Sequence, residues 1–253
     1  MIRLLSYTAP SPAADLALEE AIHLAVESGS SQNTWRIWQA RATAVILGTG
    51  QEAAKEVESA AAAKENVPVL RRHSGGGAVI IGPGIINYSA FYLLKDLPGT
   101  ETIRGAMSAA LQSVIKALSA WKLKIQEAGS SDLAVITHDG TLRKIAGNAQ
   151  ARKRISVMVH GTLLADPEWA QMTRLLRFPS KTPDYRAGRE HRAFLTSLKE
   201  NNAPCDLKQF AEGLTAALTC DKAIETLPTA AELVCVEQLM KEKYGNSAWN
   251  LRR

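Results

Sequence analysis

Apolar and polar positions along this chain follow two periods, 3.6 and 2, in alternating stretches. Residues 15–26 carry Leu16, Ala17, Glu20 and Leu24 at helical spacing behind the start signal Ser11-Pro12, which predicts a helix. The N-terminus, Met1-Ile2-Arg3-Leu4-Leu5-Ser6-Tyr7, reads as a first strand, and strands are expected at 35–39, 43–47 and 67–70, with a helix through 53–64. Residues 78–81 and 85–93 read as two strands joined by Gly82-Pro83-Gly84, a turn short enough to favour antiparallel pairing. A helix at 102–120 buries Leu111, Val114, Ile115 and Leu118 on one face. Short strands follow at 122–126, 133–137, 144–146 and 155–159, with His138-Asp139-Gly140 as a hairpin turn. Helical patterns at 168–176, 207–218 and 230–243 then flank a polar, basic loop at 178–192 (Lys181, Arg186, Arg189, Arg192), long enough to be a lid or an unstructured segment.

Composition narrows the class. With 253 residues, 46% hydrophobic and 22% charged, the chain matches one large globular domain able to bury a core. The longest apolar runs are too short to span a bilayer, and the N-terminus lacks a secretory apolar segment, so no membrane association is expected. Cys205, Cys220 and Cys235 share no metal-ligand spacing, which favours reduced thiols and a cytoplasmic setting. A formal charge of +5 suits an acidic partner or an anionic substrate and is too weak to argue for nucleic-acid binding.

Three segments carry candidate chemistry. Arg71-Arg72-His73-Ser74-Gly75-Gly76-Gly77-Ala78-Val79 ends the strand at 67–70. Three consecutive glycines lose much backbone entropy on folding, so they mark either a flexible turn or a loop whose N–H groups close on a ligand. Gly48-Thr49-Gly50-Gln51-Glu52-Ala53 matches a dinucleotide fingerprint, but the paired strands that follow are not alternating β and α units, and the match is set aside. Arg143-Lys144-Ile145-Ala146-Gly147-Asn148-Ala149-Gln150 places a lysine beside a glycine on a strand; that lysine is either an outward-facing side chain or a fixed cation. His160-Gly161-Thr162-Leu163-Leu164 follows, its histidine by itself reading as a hydrogen-bonded structural group.

In combination, the first and third segments resemble the biotin/lipoate A/B protein ligase superfamily, and within it the lipoate–protein ligase catalytic domain. The family pattern R-R-x-S-G-G-G-A-V is matched at Arg71, Arg72 and Ser74 to Val79, and N-x-S at Asn87 and Ser89. D-L is matched at Asp132-Leu133, K-x-x-G-x-A-Q at Lys144, Gly147, Ala149 and Gln150, and H-G-T-L-L at His160 to Leu164. Asp15-Leu16-Ala17-Leu18-Glu19-Glu20-Ala21, Val45-Ile46-Leu47-Gly48, Gln51, Lys243-Tyr244 and Trp249-Asn250 also fit. The chain departs at Ile80-Ile81-Gly82, where the family often has an aromatic residue and His-Asp, and at Ile85, where an Asn is expected. Its Gly82-Pro83-Gly84 is similar to the related octanoyltransferases.

The resemblance implies an α/β fold of the α+β type, with mixed, largely antiparallel sheets flanked by helices, like class II aminoacyl-tRNA synthetases. It implies one catalytic domain over 1–253, without the accessory domain into which many lipoate ligases continue. The implied reaction activates lipoate (or octanoate) with ATP and Mg²⁺ to an acyl-adenylate and passes the acyl group to a carrier lysine, with no bound redox cofactor. Arg72 and the N–H groups of Gly77, Ala78, Val79 and Ile80 would hold the nucleotide, and Ser74, Asn87, Gly147 and Ala149 would complete the pocket. Lys144 would be catalytic, bridging the adenylate phosphate and the acyl carbonyl, and Asp132 would serve the nucleotide or its Mg²⁺. Gly75 and Gly76 would line the acyl slot, walled by His160, Gly161 and Thr162. Expected partners are acidic lipoyl domains, of the 2-oxoacid dehydrogenase E2 or glycine-cleavage H type, and a separate accessory protein for activation. Alternatives are an octanoyl or lipoyl transferase working through an enzyme thioester, a binding-only homologue, and a biotin ligase. The transferase cysteine would stand just before Asp132, where this chain has Glu127-Ala128-Gly129-Ser130-Ser131.

Overall fold

The computed structural model describes residues 1–96, 99, 102–218 and 223–252, which leaves Cys220 outside the described residues. The first half runs β1 (Ile2–Ser6), α1 (Pro12–Glu27), β2 (Thr34–Trp38), β3 (Ala44–Leu47), α2 (Ala53–Glu56), α3 (Ser59–Lys64), β4 (Val69–Arg71), β5 (Val79–Ile81), β6 (Ile85–Leu93) and α4 (Ile103–Ser119). The second half runs β7 (Ile125–Ala128), β8 (Asp132–Ile136), β9 (Leu142–Arg152), β10 (Ser156–Leu164), α5 (Trp169–Leu175), α6 (His191–Phe194), α7 (Leu207–Ala217), β11 (Ala223–Glu225), α8 (Ala230–Leu239) and α9 (Ser247–Asn250). A large sheet has the order β11-β1-β2-β6-β10-β9-β8-β7 and a small one the order β4-β3-β5. Pairing is antiparallel except where β1 meets β11 and β2, and where β3 meets β4. This is the mixed, largely antiparallel α/β architecture expected. Among the described residues no helix is long and apolar enough to cross a membrane.

Alternation along the central strands separates two faces. Tyr88, Val159, Leu163 and Ala146 point to one face and join Leu111, Val114, Phe210 and Leu214 of α4 and α7 in the main core. The opposite face carries the candidate site. A second core, with Val45, Leu47, Ile80, Leu175 and Phe194, holds the small sheet against α5 and α6.

Four expectations change. The helix at 53–64 is broken at Val57, which is fully buried and extended (φ −124°, ψ 137°) and bridges Leu176, because burying that side chain outweighs continuing the helix. Residues 78–81 and 85–93 do not form a hairpin. β6 already has β2 and β10 on its two edges, so Gly82-Pro83-Gly84 carries the chain from one sheet to the other. The strands expected at 144–146 and 155–159 extend through Gly147 and Gly161, since pairing on both sides overrides the low strand preference of glycine. The helix from 230 ends at Leu239 and continues as one wider turn, Met240–Tyr244.

α1 starts where expected: the Ser11 hydroxyl accepts from Ala14 N–H and Pro12 occupies the first turn. Its buried surface is less apolar than the spacing implied. Leu24 is 36% exposed, whereas Asp15, Glu19 and His23, four residues apart, form a buried polar stripe. Arg36 of β2 meets it, donating to Asp15 Oδ1 at 2.5 Å and to Glu19 Oε1 at 2.9 Å. Removing one partner would strand a buried charge, a loss of about 3–5 kcal/mol.

His23 is buried with neither ring nitrogen hydrogen-bonded, and its ring lies 5.8 Å from that of His73. Burial pulls His23 down to about 4 and His73 to about 3. Both therefore stay neutral in the folded chain at pH values where the unfolded chain takes up protons. Their contribution to stability falls as pH drops below about 6.5 and levels off near pH 4 and pH 3. Burial acts oppositely on Asp15, raising it to about 6 against the pull of Arg36, so the clean comparison is between variants that share Asp15. The His23→Leu chain should lose about 1–2 kcal/mol less than the native chain between pH 7 and pH 5, as read by urea unfolding.

Candidate functional site

The glycine segment leaves β4 and folds back over the end of β3. Arg72 shapes it: Nε donates to Ser74 Oγ at 2.9 Å, and Nη2 to Gly75 O at 2.6 Å and Gly77 O at 2.8 Å. Burial lowers this guanidinium to about 10, and the carbonyl dipoles around it keep it charged at neutral pH. Its guanidinium builds the loop and also lines the cavity described below. Arg71 points the other way, to Gly48 O (2.9 Å), Gln51 O (2.7 Å) and Asn250 O (3.2 Å). Gln51 accepts from Gly48 N–H at 2.8 Å, so the fingerprint-like stretch is a tight turn beneath the loop. A Cβ on Gly48 would lie 2.1 Å from Gly76 O, which explains that glycine by close approach. A Cβ on Gly75 or Gly77 would meet nothing within 4 Å, so packing does not explain their bareness. Val79 and Ile80 lie on β5, which among the described residues pairs only with β3 and has no partner strand on its other edge.

Register assembles the rest. One row crosses five strands as Trp38, Asn87, Thr162, Gly147 and Asp132, and the row beside it as Arg36, Ser89, His160 and Ala149. The β8–β9 pairing shifts at Leu133/Ala134, leaving Ile145 as an extra residue. That bulge puts Lys144 and Gly147, three apart, on the same face. Lys144 Nζ then reaches over Gly147 to Asp132 Oδ1 at 2.8 Å, so close that a Cβ on Gly147 would lie 2.7 Å from Nζ. Asp132 Oδ2 accepts from Tyr185 at 2.8 Å. Each Asp132 oxygen thus has a partner, and no group of three His, Cys, Asp or Glu side chains that could hold a metal ion is present among the described residues.

His160 links this floor to the loop. Its Nε2 is 2.6 Å from Ser74 Oγ, and its Nδ1 lies 3.7 Å from Glu19 Oε2. The Glu19 carboxylate beside Nδ1 favours the imidazole hydrogen on that nitrogen, so Nε2 accepts from the Ser74 hydroxyl, which itself accepts from Arg72. Burial lowers His160, with Glu19 opposing. Burial also works to raise Glu19, but the hydrogen bond from His160 and the Arg36 charge hold it well below the usual carboxylate range.

The basic loop at 178–192 is the lid. Tyr185 fastens it to Asp132, Arg189 Nη1 to Leu142 O at 3.0 Å, and Thr196 N–H to Lys144 O at 2.8 Å. Beneath it lies a cavity of about 410 Å³, a size suited to a drug-sized ligand. Arg72, Gly76, Gly77, Ala78, Val79, Ile80, Asn87, Asp132, Lys144, Gly147, Ala149, His160, Gly161 and Thr162, all expected at the site, line it. Ser74 and Gly75 support the loop from behind. Leu16, Glu19, Trp38, Ser89, Arg186 and His191 also line it and were not singled out as site residues. Leu16, Glu19 and Ser89 belong to segments that carry the family resemblance, and Arg186 to the basic loop. Arg152, Lys153 and Arg154, at the β9–β10 turn, stand outside the lining, as do Cys205 and Cys235. Burial raises both thiols, and Cys205 Sγ donates to Ala165 O.

The profile of the lipoyl protein ligase A/B catalytic domain matches residues 11–219. The octanoyltransferase LipM of Brevibacillus brevis is 27% identical over 97% of this chain and 96% of its own length. Lipoate–protein ligase 1 of Staphylococcus aureus is 22% identical over 96% of this chain and 70% of its own. Among solved structures, a chain from a study of the bi-partite lipoate protein ligase of Thermoplasma acidophilum and its E2 lipoyl domain superposes with a TM-score of 0.83 at 22% identity, covering 98% of this chain and 95% of that one.

Two glycine substitutions should separate chemistry from stability. Gly147→Ala displaces only the flexible tip of Lys144, so thermal unfolding should move by no more than a few degrees while activity falls at least about tenfold. Gly161→Ala drives a Cβ to within 2.0 Å of Asn148 Oδ1 and 2.6 Å of the Tyr88 hydroxyl, which hydrogen-bond each other at 2.6 Å. That variant should lose about 2 kcal/mol or more in a denaturant titration.

Proposed function

The chain belongs to the lipoyl protein ligase A/B catalytic-domain family, and from that premise we propose that it is a lipoate–protein ligase. It would activate lipoate with ATP and transfer the lipoyl group to a lysine of a lipoyl carrier domain. One observation carries this reading: Lys144 Nζ, fixed over Gly147 by Asp132, stands in the same cavity as the glycine loop. Neither step needs an enzyme nucleophile; both need charge stabilised in place. The acid's carboxylate oxygen attacks the α-phosphorus of ATP, and pyrophosphate leaves. The carrier amine then attacks the acyl carbon, gives up a proton, and AMP leaves. Lys144 keeps N–H groups beyond the one on Asp132, suited to the adenylate phosphate and to the oxygen on which charge develops. N–H groups of the glycine loop and the outer edge of β5 suit the nucleotide. Leu16, Trp38, Ile46 and Ile81 suit the acyl chain. Mg²⁺ would enter with the polyphosphate rather than reside on Asp132.

Transfer from a preformed acyl donor is the second reading, favoured by the match to LipM over nearly its whole length. Against its thioester form stand Ser130 and Ser131, which line the cavity just before Asp132, and Cys205 and Cys235, which do not line it. A lipoyl domain is the proposed carrier, in keeping with the E2 lipoyl domain named with the Thermoplasma ligase.

The test is the intact mass of an apo lipoyl domain incubated with the chain, Mg-ATP and lipoate, with lipoyl-AMP followed in the small-molecule fraction. Both products should form. Lys144→Ala should slow the reaction at least about 100-fold without unfolding the chain, because Lys144 is on the cavity surface rather than in the core. Unchanged turnover in that variant would remove Lys144 from the chemistry, and acylation only from a preformed donor would establish the transferase.

A further inference from the structure

Lys243-Tyr244 and Trp249-Asn250 fit the family resemblance, yet none of these four residues lines the cavity. Trp249 and Asn250 belong to α9, which packs on β4, the strand that leads into the glycine loop. β4 pairs with β3 and, among the described residues, with no other strand. Successive residues of a strand turn their peptide groups to opposite edges. Arg72 N–H takes the β3 side, donating to Leu47 O at 3.0 Å. The N–H and C=O of Arg71 therefore point to the open edge, where a buried peptide without partners is costly. Side chains of α9 meet both: Asn250 Oδ1 accepts from Arg71 N–H at 3.0 Å, and Trp249 Nε1 donates to Arg71 O at 2.8 Å. Two side chains thus stand in for one residue of a missing strand.

The contacts around that peptide reach both flanks of the glycine loop. Arg71 Nε donates back to Asn250 O at 3.2 Å, while its Nη1 holds Gly48 O and Gln51 O. Arg252 donates to Thr49 Oγ1 at 2.8 Å, and Thr49 N–H donates to Ser74 O at 2.8 Å. Asn250 Nδ2 donates to Tyr244 O at 2.9 Å. The Tyr244 hydroxyl donates to Glu20 Oε2 at 2.5 Å and lies 3.3 Å from His73 Nδ1. Arg71, Tyr244 and Asn250 are all buried, so water does not replace a lost partner there.

We propose that Trp249 and Asn250 are positioning residues: α9 clasps the open edge of β4 and so fixes the place from which the glycine loop meets the nucleotide. The clasp acts through Arg71 and through the contact of Thr49 with Ser74. A loop of bare glycines that had to be ordered at each binding event would lower affinity, and one ordered in advance does not. The role at the nucleotide rests on the ligase reading, whereas the clasp itself is a property of the free chain.

The test uses the full chain with Trp249→Phe, which removes the indole N–H and keeps an aromatic ring beside Tyr244, and with Asn250→Ala. Amide hydrogen exchange is read by NMR without ligand. Thr49 N–H bonds to neither substituted residue, and it reports whether Ser74 stays docked. In both variants it should exchange at least about tenfold faster than in the native chain, beyond any change at amides in the middle of β10. A loss of global stability alone would quicken both sets equally. Trp249→Phe keeps the test meaningful if Asn250→Ala loosens the whole fold. In the ligation assay, KM for ATP should rise at least about fivefold in Trp249→Phe, with kcat within about twofold of native. A smaller folded fraction would instead lower kcat and leave KM in place. The proposal is overturned if Thr49 N–H in Trp249→Phe quickens no more than the β10 amides, or if it quickens while KM for ATP holds. A native chain that makes no lipoyl-AMP would refute lipoate as the acid, and faster exchange at Thr49 would still support the clasp.

Discussion

A guanidinium has five N–H groups and no acceptor, and that fact decides how the ligand loop is built. Three consecutive glycines have no side chains with which to hold themselves in place. Arg72, buried beneath them, holds Gly75 O, Gly77 O and Ser74 Oγ. Ser74 Oγ accepts from Arg72 and pairs with His160 Nε2, while the Glu19 carboxylate beside Nδ1 favours the imidazole hydrogen there. A chain of polar contacts thus runs from the loop through β10 to α1. The same chain ends on Arg36, so the loop is tied to the most deeply buried ion pairs of the fold.

The floor beneath the loop is a product of strand register. No two of Trp38, Asn87, Thr162, Gly147 and Asp132 are within ten residues of each other in sequence, yet they form one row. A slip of one residue in any strand would send its member to the opposite face, into the core with Tyr88 and Leu163. The single bulge at Ile145 uses that rule: the extra residue brings Lys144 round to the face of Gly147, where a bare backbone lets it lie flat and reach Asp132. The lysine is therefore held by geometry that a regular strand would not provide.

The lid completes the electrostatics. Its tyrosine fastens to Asp132, the residue that also fixes Lys144, while its Lys181 and Arg186 bring further positive charge to the cavity.

The sequence by itself determined the local chemistry: the glycine loop, Lys144 with Gly147, and the His160 segment all line or support the cavity, and the start of α1 is set by Ser11 and Pro12. It also carried the fold class, because alternation and turn residues are local signals. What only the tertiary structure decided is nonlocal. The polar stripe Asp15, Glu19 and His23 is buried because Arg36, on another strand, faces it. Arg72 holds the loop from within the cavity wall because its nearest acceptors are the carbonyls of that loop. β5 and β6 part into two sheets because both edges of β6 are already taken. Arg186 became legible only once packing against Phe178 and Phe194 removed it from water. In each case the deciding quantity is which groups meet across the fold, and spacing along the chain does not encode that.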